Sequence, residues 1–437
     1  MKNIAIASLF VASASAFPWV AEQPGVDASL FGGRRAKRQQ PGGSNPGGAA
    51  TCPFNSDHKG AVPYNPAYPY NYAVNGSQGK GKGGYQVPAE GDTAHAYIAP
   101  TSSDIRGPCP GLNAAANHGF LSRDGIVTFN ELVDAQQNVY NVGYDLALLL
   151  ATLGLTTTDG DLVTEKLSIG CDATSRTSYN PTLTGSEPGL DGHNKFEADT
   201  SLTRDDFFLG DGDNFSFNST LFSMMVDSTG GTFGRDQMAK YRYERYQQSL
   251  ADNPQFYFGP LSLLLFGASS FLYELMPNGN HNYEPDLETI SSFFGAEQGS
   301  DGSWSFTGGE QIPANWTNRV NPYTNVDVTS EIVAQYLEHP VLFGGATSSG
   351  GFDALPDFGS IKNGTIPSTI SATNTACLLY QLTTQSVPSY LNGLLTPTVD
   401  ALNFVASKLG PEFENLGCPI ALTKRDEGVS VARSFEA

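Results

Sequence analysis

The stretch IRGPCPGLNAAANHGF, residues 105–120, sets one cysteine, Cys109, between two prolines. Pro110 suits the first position of a helix, where its missing N–H costs nothing, and LNAAANHG continues that helix to Gly119. The sulfur therefore sits at a helix N-terminus. The unpaired N–H groups of Gly111 and Leu112 can point at a thiolate there and stabilise its charge. A sulfur so placed is a nucleophile, a metal ligand or a buried inert thiol, and local physics alone does not choose among the three.

Outside this stretch, the first sixteen residues read as a signal peptide. Lys2 is followed by an apolar run over 4–14 and by Ala-Ser-Ala at 14–16. Residues 17–38 end in Arg-Arg-Ala-Lys-Arg and read as a propeptide, with processing after Lys37–Arg38. The chain is thus expected to be secreted. Asn-X-Ser/Thr triplets at Asn75, Asn214, Asn218, Asn315 and Asn363 are expected glycosylation sites. The net charge of −20 argues against nucleic acid or an anionic membrane as partner. No apolar run reaches the roughly 20 residues of a membrane span.

Residues 39–90 are rich in Gly, Pro and Tyr and read as an extended arm, partly ordered by its tyrosines. Residues 91–421 have the texture of a single large, mainly α domain with long loops, and 422–437 read as a polar tail. Helical spacing predicts a long buried helix over 130–154, a second over 234–252 and an apolar helix-like run over 260–276. A short helix is predicted over 331–338. Another is predicted over 396–410, with Thr396 as cap and Gly410 just past its end. Five cysteines leave at least one unpaired in a secreted chain. Cys377 and Cys418 flank the last helical segment and suit a disulfide. Cys52 and Cys171 are candidates for a second, and Cys109 is the odd one out.

Three blocks together carry a resemblance. DIRGPCPGLNAAANHGFLSRDG (104–125), FEADTSLTRDDFFLGD (196–211) and YRYERYQQSLADNPQFYF (241–258) resemble the fungal haem-thiolate peroxidases, the chloroperoxidases and unspecific peroxygenases. With the Cys377/Cys418 pair, the likeness is closer to the longer peroxygenases. It implies the helical chloroperoxidase-type fold, haem b with Cys109 as axial thiolate, and hydrogen peroxide with hydrophobic or aromatic organic molecules as substrates. A thiolate ligand pushes electron density onto iron and favours O–O cleavage. The resemblance also implies a structural Mg²⁺ held by Glu197, the carbonyl of Ala198 and the hydroxyl of Ser201, hard oxygen donors that suit this ion. Asp211 and Asp213 in GDGDNFSFN lack the remaining ligands of a calcium loop.

One family feature is missing from its expected place. Longer members carry a distal Glu after a Gly, with an Arg about two turns earlier. Here the segment is PLSLLLFGASSFLYELMPNG (260–279), where Ala268 follows Gly267 and no Arg occurs from 246 to 318. Glu274 is the one acid in this apolar run and is the candidate proton shuttle. His118 reads as structural and His193 as a loop residue beside the Mg²⁺ block. Leu263, Leu264, Leu265, Phe266 and Phe271 predict an apolar distal side. The alternative to an active peroxygenase is a secreted haem-binding glycoprotein with little turnover.

Overall fold

The computed structural model describes residues 52–53, 58–68, 70–158, 160–171, 189–194, 196–347, 350–384, 399–415, 422–425 and 428–431. Helices dominate, as expected from the sequence. The helix opened by Cys109 is α1, Pro110–Asn117, with Cys109 as its N-cap and Pro110 in the first turn. Its alanines Ala114, Ala115 and Ala116 are fully buried, and only side chains this small allow so close an approach to the core.

The long helix expected over 130–154 is two helices, α2 (Phe129–Tyr140) and α3 (Tyr144–Thr157). The break has a local cause. Asn141 takes the left-handed conformation at φ 52°, and its buried amide donates to the carbonyls of Arg319 and Val320. Gly143 then restarts the chain in an extended conformation. A capping box of Thr128 and Glu131 fixes the start of α2. The two helices pack against each other.

Helix α4 (Ser219–Thr229) is capped by Asn218, and α5 (Arg235–Asp252) stops at Asn253 as predicted. The apolar run after it is a 3-10 turn, Pro260–Leu263, leading into α6 (Leu264–Glu274). Helix α7 spans Leu287–Phe294. Helix α8 spans Asn325–Glu338, six residues more at its start than the sequence suggested, because Thr324 and Asp327 form a second capping box. Helix α9 spans Ala372–Thr384. Helix α10 spans Val399–Asn415 and does not end at Gly410: it continues through Pro411. Residues 396–398, including the expected cap Thr396, lie outside the described residues.

Strands are few and short. The three-stranded sheet pairs β3 (Tyr257–Phe258) with β6 (Gly344–Ala346), and β6 with β7 (Phe352–Ala354), all antiparallel. Two-stranded ribbons join β1 (Ile126–Thr128) to β2 (Lys166–Ser168) and β4 (Ala296–Gln298) to β5 (Trp304–Phe306). In the tail, β8 (Leu422–Arg425) pairs with β9 (Gly428–Val431). In the described part of the arm, Tyr70 is buried and donates to Asp92 at 2.6 Å, and Gln86 bridges to Thr317. Cys52 and Cys171 form a disulfide beside a small cluster of Ile105 and Ile126. Cys377 is disulfide-bonded, and its expected partner Cys418 lies outside the described residues. Among the described residues, no helix is long and apolar enough to cross a membrane.

Candidate active site

The free cysteine opens onto a cavity in the middle of the helices. Cys109 is free, and its sulfur is exposed to that cavity rather than to the outer surface. The cavity encloses about 1360 Å³, counting its open mouth. Small residues shape it: Ala151 and Gly154 on α3 and Ala268 on α6 each withdraw side-chain volume from the wall.

The polypeptide around the sulfur is tightly fixed. A Cβ on Gly107 would overlap the Ile169 carbonyl oxygen, so only glycine lets the two chains approach there. Asn113, one turn into α1, accepts from the Gly107 N–H at 3.0 Å and donates to the Gly107 carbonyl at 2.8 Å. It also donates to Glu310 Oε1 at 2.9 Å. Asn117 accepts from Arg106 Nε and donates to the Glu310 carbonyl. Burial pushes the Cys109 thiol above its ordinary value; N–H groups of Leu112 and Gly111 and the Arg204 guanidinium act in the opposite direction. Tyr140 beside it donates to the Gly111 carbonyl at 2.7 Å.

Glu197 and Ser201 also line the cavity, and Ala198 is buried between them. Ser201 Oγ lies 3.1 Å from the Ala198 carbonyl oxygen. Adjacent ligands of an octahedral Mg²⁺ sit about 3 Å apart when each is at about 2.1 Å from the ion, so these two oxygens have a suitable spacing. Glu197 Oε2 accepts from His193 at 3.0 Å and from Asn214 at 2.6 Å, while its Oε1 is buried without a partner. Burial pushes this carboxyl well above its usual range. A buried carboxylate oxygen with no donor fits a cation. Among the described residues there is no group of three or more His, Cys, Asp or Glu side chains that could hold a metal. The set expected for Mg²⁺ contains one such side chain and would draw its other donors from a carbonyl and a hydroxyl.

The 199–206 loop behind this block is clamped by α5. Arg242 donates to the Thr200 carbonyl and, at 2.7 Å, to the Thr200 hydroxyl. Arg245 donates to the Ser201 carbonyl at 2.9 Å and to Asp206 at 3.0 Å. Asp206 in turn accepts from Thr200 N–H.

The opposite wall is apolar. Leu265, Ala268, Phe271, Leu272, Leu275 and Met276 face the cavity at helical spacing. Of the five residues expected there, Leu265 and Phe271 line it, Leu263 and Phe266 are buried in the core, and Leu264 is half-buried against the core without lining the cavity. Glu274, expected as the proton shuttle, does not line the cavity. It stands at the end of α6 on another face, and Arg319 holds its carboxylate at 2.6 Å. Among the described residues lining the cavity, Glu197 is the one acid and Arg204 the one strong base.

His118 is structural. Burial lowers it to about 4, so the ring is neutral; Nδ1 meets the His95 carbonyl at 2.8 Å and Nε2 accepts from Ile312 N–H. His193 stacks on Phe207 beside Glu197. Asn214 is a correction to the glycosylation set: it is fully buried and its amide nitrogen donates to Asp191 and Glu197, so no glycan fits there. Asn218 spends its amide on Asp205 and on capping α4. Asn75, Asn315 and Asn363 are exposed. Sequence reasoning missed Asn113, Tyr140, Arg204 and Glu310. Arg204 stands within the second quoted block and was within reach. Glu310 lies 197 residues from Asn113 on a loop and carries no local signal.

The geometry agrees with the known proteins that the chain resembles. The family model described as "Peroxidase, family 2" matches residues 95–321, which is half of the sequence, and the chain belongs to this family of haem-thiolate peroxidases. It is similar to an aromatic peroxygenase of Coprinellus radians, 37% identical over 229 residues, which cover 50% of this chain and 85% of that enzyme. An aromatic peroxygenase of Cyclocybe aegerita is 32% identical over 296 residues, 66% of this chain and 71% of that one. The aromatic peroxidase fscJ of Fusarium equiseti is 28% identical over 364 residues, 78% of this chain and 82% of that one. The chain is accordingly a hydrogen-peroxide-dependent oxidoreductase, and its family implies haem.

Proposed function

We propose that this is a secreted peroxygenase that oxygenates hydrophobic, aromatic-sized organic molecules, with Cys109 as the axial ligand of haem b. One observation carries the reading: the free sulfur, capped by two helix N–H groups, opens into a cavity whose opposite wall is apolar. When bound, the haem supplies peroxide activation at iron. The chain's own residues do the rest. Leu112 and Gly111 N–H groups hold negative charge on the sulfur, and Tyr140 fixes the Gly111 peptide that carries one of them.

Glu197, the Ala198 carbonyl and Ser201 would hold Mg²⁺ at the cavity edge, where the ion would offset buried negative charge. The α6 wall binds the organic substrate by excluding water and offers it no charge. No α6 side chain in that wall can move a proton. Proton transfer during peroxide binding therefore falls to solvent. General acid–base help is worth about 10²–10⁴-fold, so turnover is expected to be slower than in members with a distal acid. The signal-peptide reading of the first sixteen residues supports secretion, and exposed Asn75, Asn315 and Asn363 support glycosylation.

The test is turnover of an aromatic substrate with ¹⁸O-labelled hydrogen peroxide. Label in the product is the expected result. Oxidised product without label assigns one-electron peroxidase chemistry instead.

A further inference from the structure

We propose that Arg204, balanced by Glu310, is a positioning residue for the Cys109 sulfur and tunes the iron bound to it. This rests on the reading of Cys109 as iron ligand and goes beyond it by naming the charge pair that sets the electron density on that ligand.

Arg204 is 3% exposed, yet it comes from the acidic 196–206 loop and not from the cysteine helix. Its Nε donates to the Pro108 carbonyl at 3.1 Å, the peptide immediately before Cys109. Its Nη2 lies 3.2 Å from Glu310 Oε1, which also takes the Asn113 amide. Glu310 is likewise buried. Three segments distant in sequence thus converge on one peptide: the cysteine loop, the 196–206 loop and the loop of Glu310.

Arg204 faces two spaces. One is the large cavity; the other is a small recess behind the cysteine loop, where it meets Arg106, Asn113 and Glu310 beside the rings of Phe215 and Phe217. In so buried a site a fixed charge is poorly screened. Arg204 acts to lower the Cys109 thiol and Glu310 to raise it, in keeping with their signs.

The consequence for a bound iron follows from charge alone. A guanidinium close to the sulfur favours an arriving electron and draws density from the ligand. A carboxylate does the reverse. The pair therefore sets a compromise between sulfur push and iron reducibility, and its two members have opposite effects. Arg, whose charge is constant and whose fork reaches two acceptors at once, suits the task better than Lys.

The experiment is a redox titration of the haem-loaded protein, with a ferrous–CO spectrum taken on each sample. Arg204→Gln is expected to shift the iron potential negative, Arg204→Lys to recover most of that shift, and Glu310→Gln to shift it positive. All should keep a thiolate-type CO band. Wild-type potentials in both Arg204→Gln and Glu310→Gln overturn the proposal, because a merely structural pair would not move them. Should Arg204→Gln fail to take up haem, Glu310→Gln decides alone, and a zero or negative shift in it overturns the proposal. A wild-type protein without the thiolate CO band removes the parent reading, and this one with it.

Discussion

Replacing Arg245 tests whether the α5 clamp on the 199–206 loop holds the site together. Arg245 and Asp206 have side chains 1% and 0% exposed and meet at 3.0 Å. Arg245→Met leaves the Asp206 carboxylate buried without its cation and strips the Ser201 carbonyl of a donor. Removing one partner of a buried pair costs about 3–5 kcal/mol. Asp206 keeps donors from Thr200, Ser249 and Asn253, so the lower end of that range is expected. The double variant Arg245→Met/Asp206→Asn should recover much of the loss, because it removes the unpaired charge while Asn keeps an acceptor for Thr200. Urea unfolding at neutral pH, extrapolated linearly to water, reads both values. A single-variant loss below about 1 kcal/mol, the scale of an exposed pair, would refute the reasoning. So would a double variant no more stable than the single one.

Glu274→Gln should leave kcat/KM for an aromatic substrate within about twofold, since the residue faces Arg319 and not the cavity; a hundredfold loss, the scale of a lost proton shuttle, would reinstate it. Reducing Cys52–Cys171, which closes a 119-residue separation, should cost about 5 kcal/mol by chain entropy; a Cys52→Ser/Cys171→Ser variant measured in urea checks this. Burial raises Asp134 from 3.8 to about 6. The folded state holds that proton more tightly than the unfolded chain, so the group favours folding below pH 3.8 and works against it progressively up to about pH 6. Asp134→Asn should flatten this part of the stability profile, and an unchanged slope would refute the assignment. Ala268→Phe should exclude bulky aromatic substrates while sparing small ones, seen as a rise in KM confined to the large members of a substrate series.

Much of this site was legible in the sequence because its parts are local. Pro110 suits the first turn of a helix and the run after it continues one, so Cys109 and its two N–H donors could be placed from one short stretch. The Glu197–Ser201 block is equally compact. Glu274 illustrates the limit. Its type and its apolar neighbours fit a shuttle, but its direction depends on Arg319, 45 residues away, which turns it from the cavity. The break at Asn141 is similar: apolar residues keep helical spacing across 130–154, while carbonyls from 319 and 320 and the amide of Asn71 hold the left-handed turn. Asn214 carries a perfect acceptor triplet and is buried, its amide taken by the Asp191 carbonyl and the Glu197 carboxylate. Periodicity cannot report such long-range polar contacts.

The ferrous–CO spectrum of the haem-loaded protein, compared with Cys109→Ala, bears most directly on the sulfur–iron bond. The account predicts the red-shifted Soret band of a thiolate-ligated haem in the parent protein and its loss in the variant. An identical spectrum in both would contradict it.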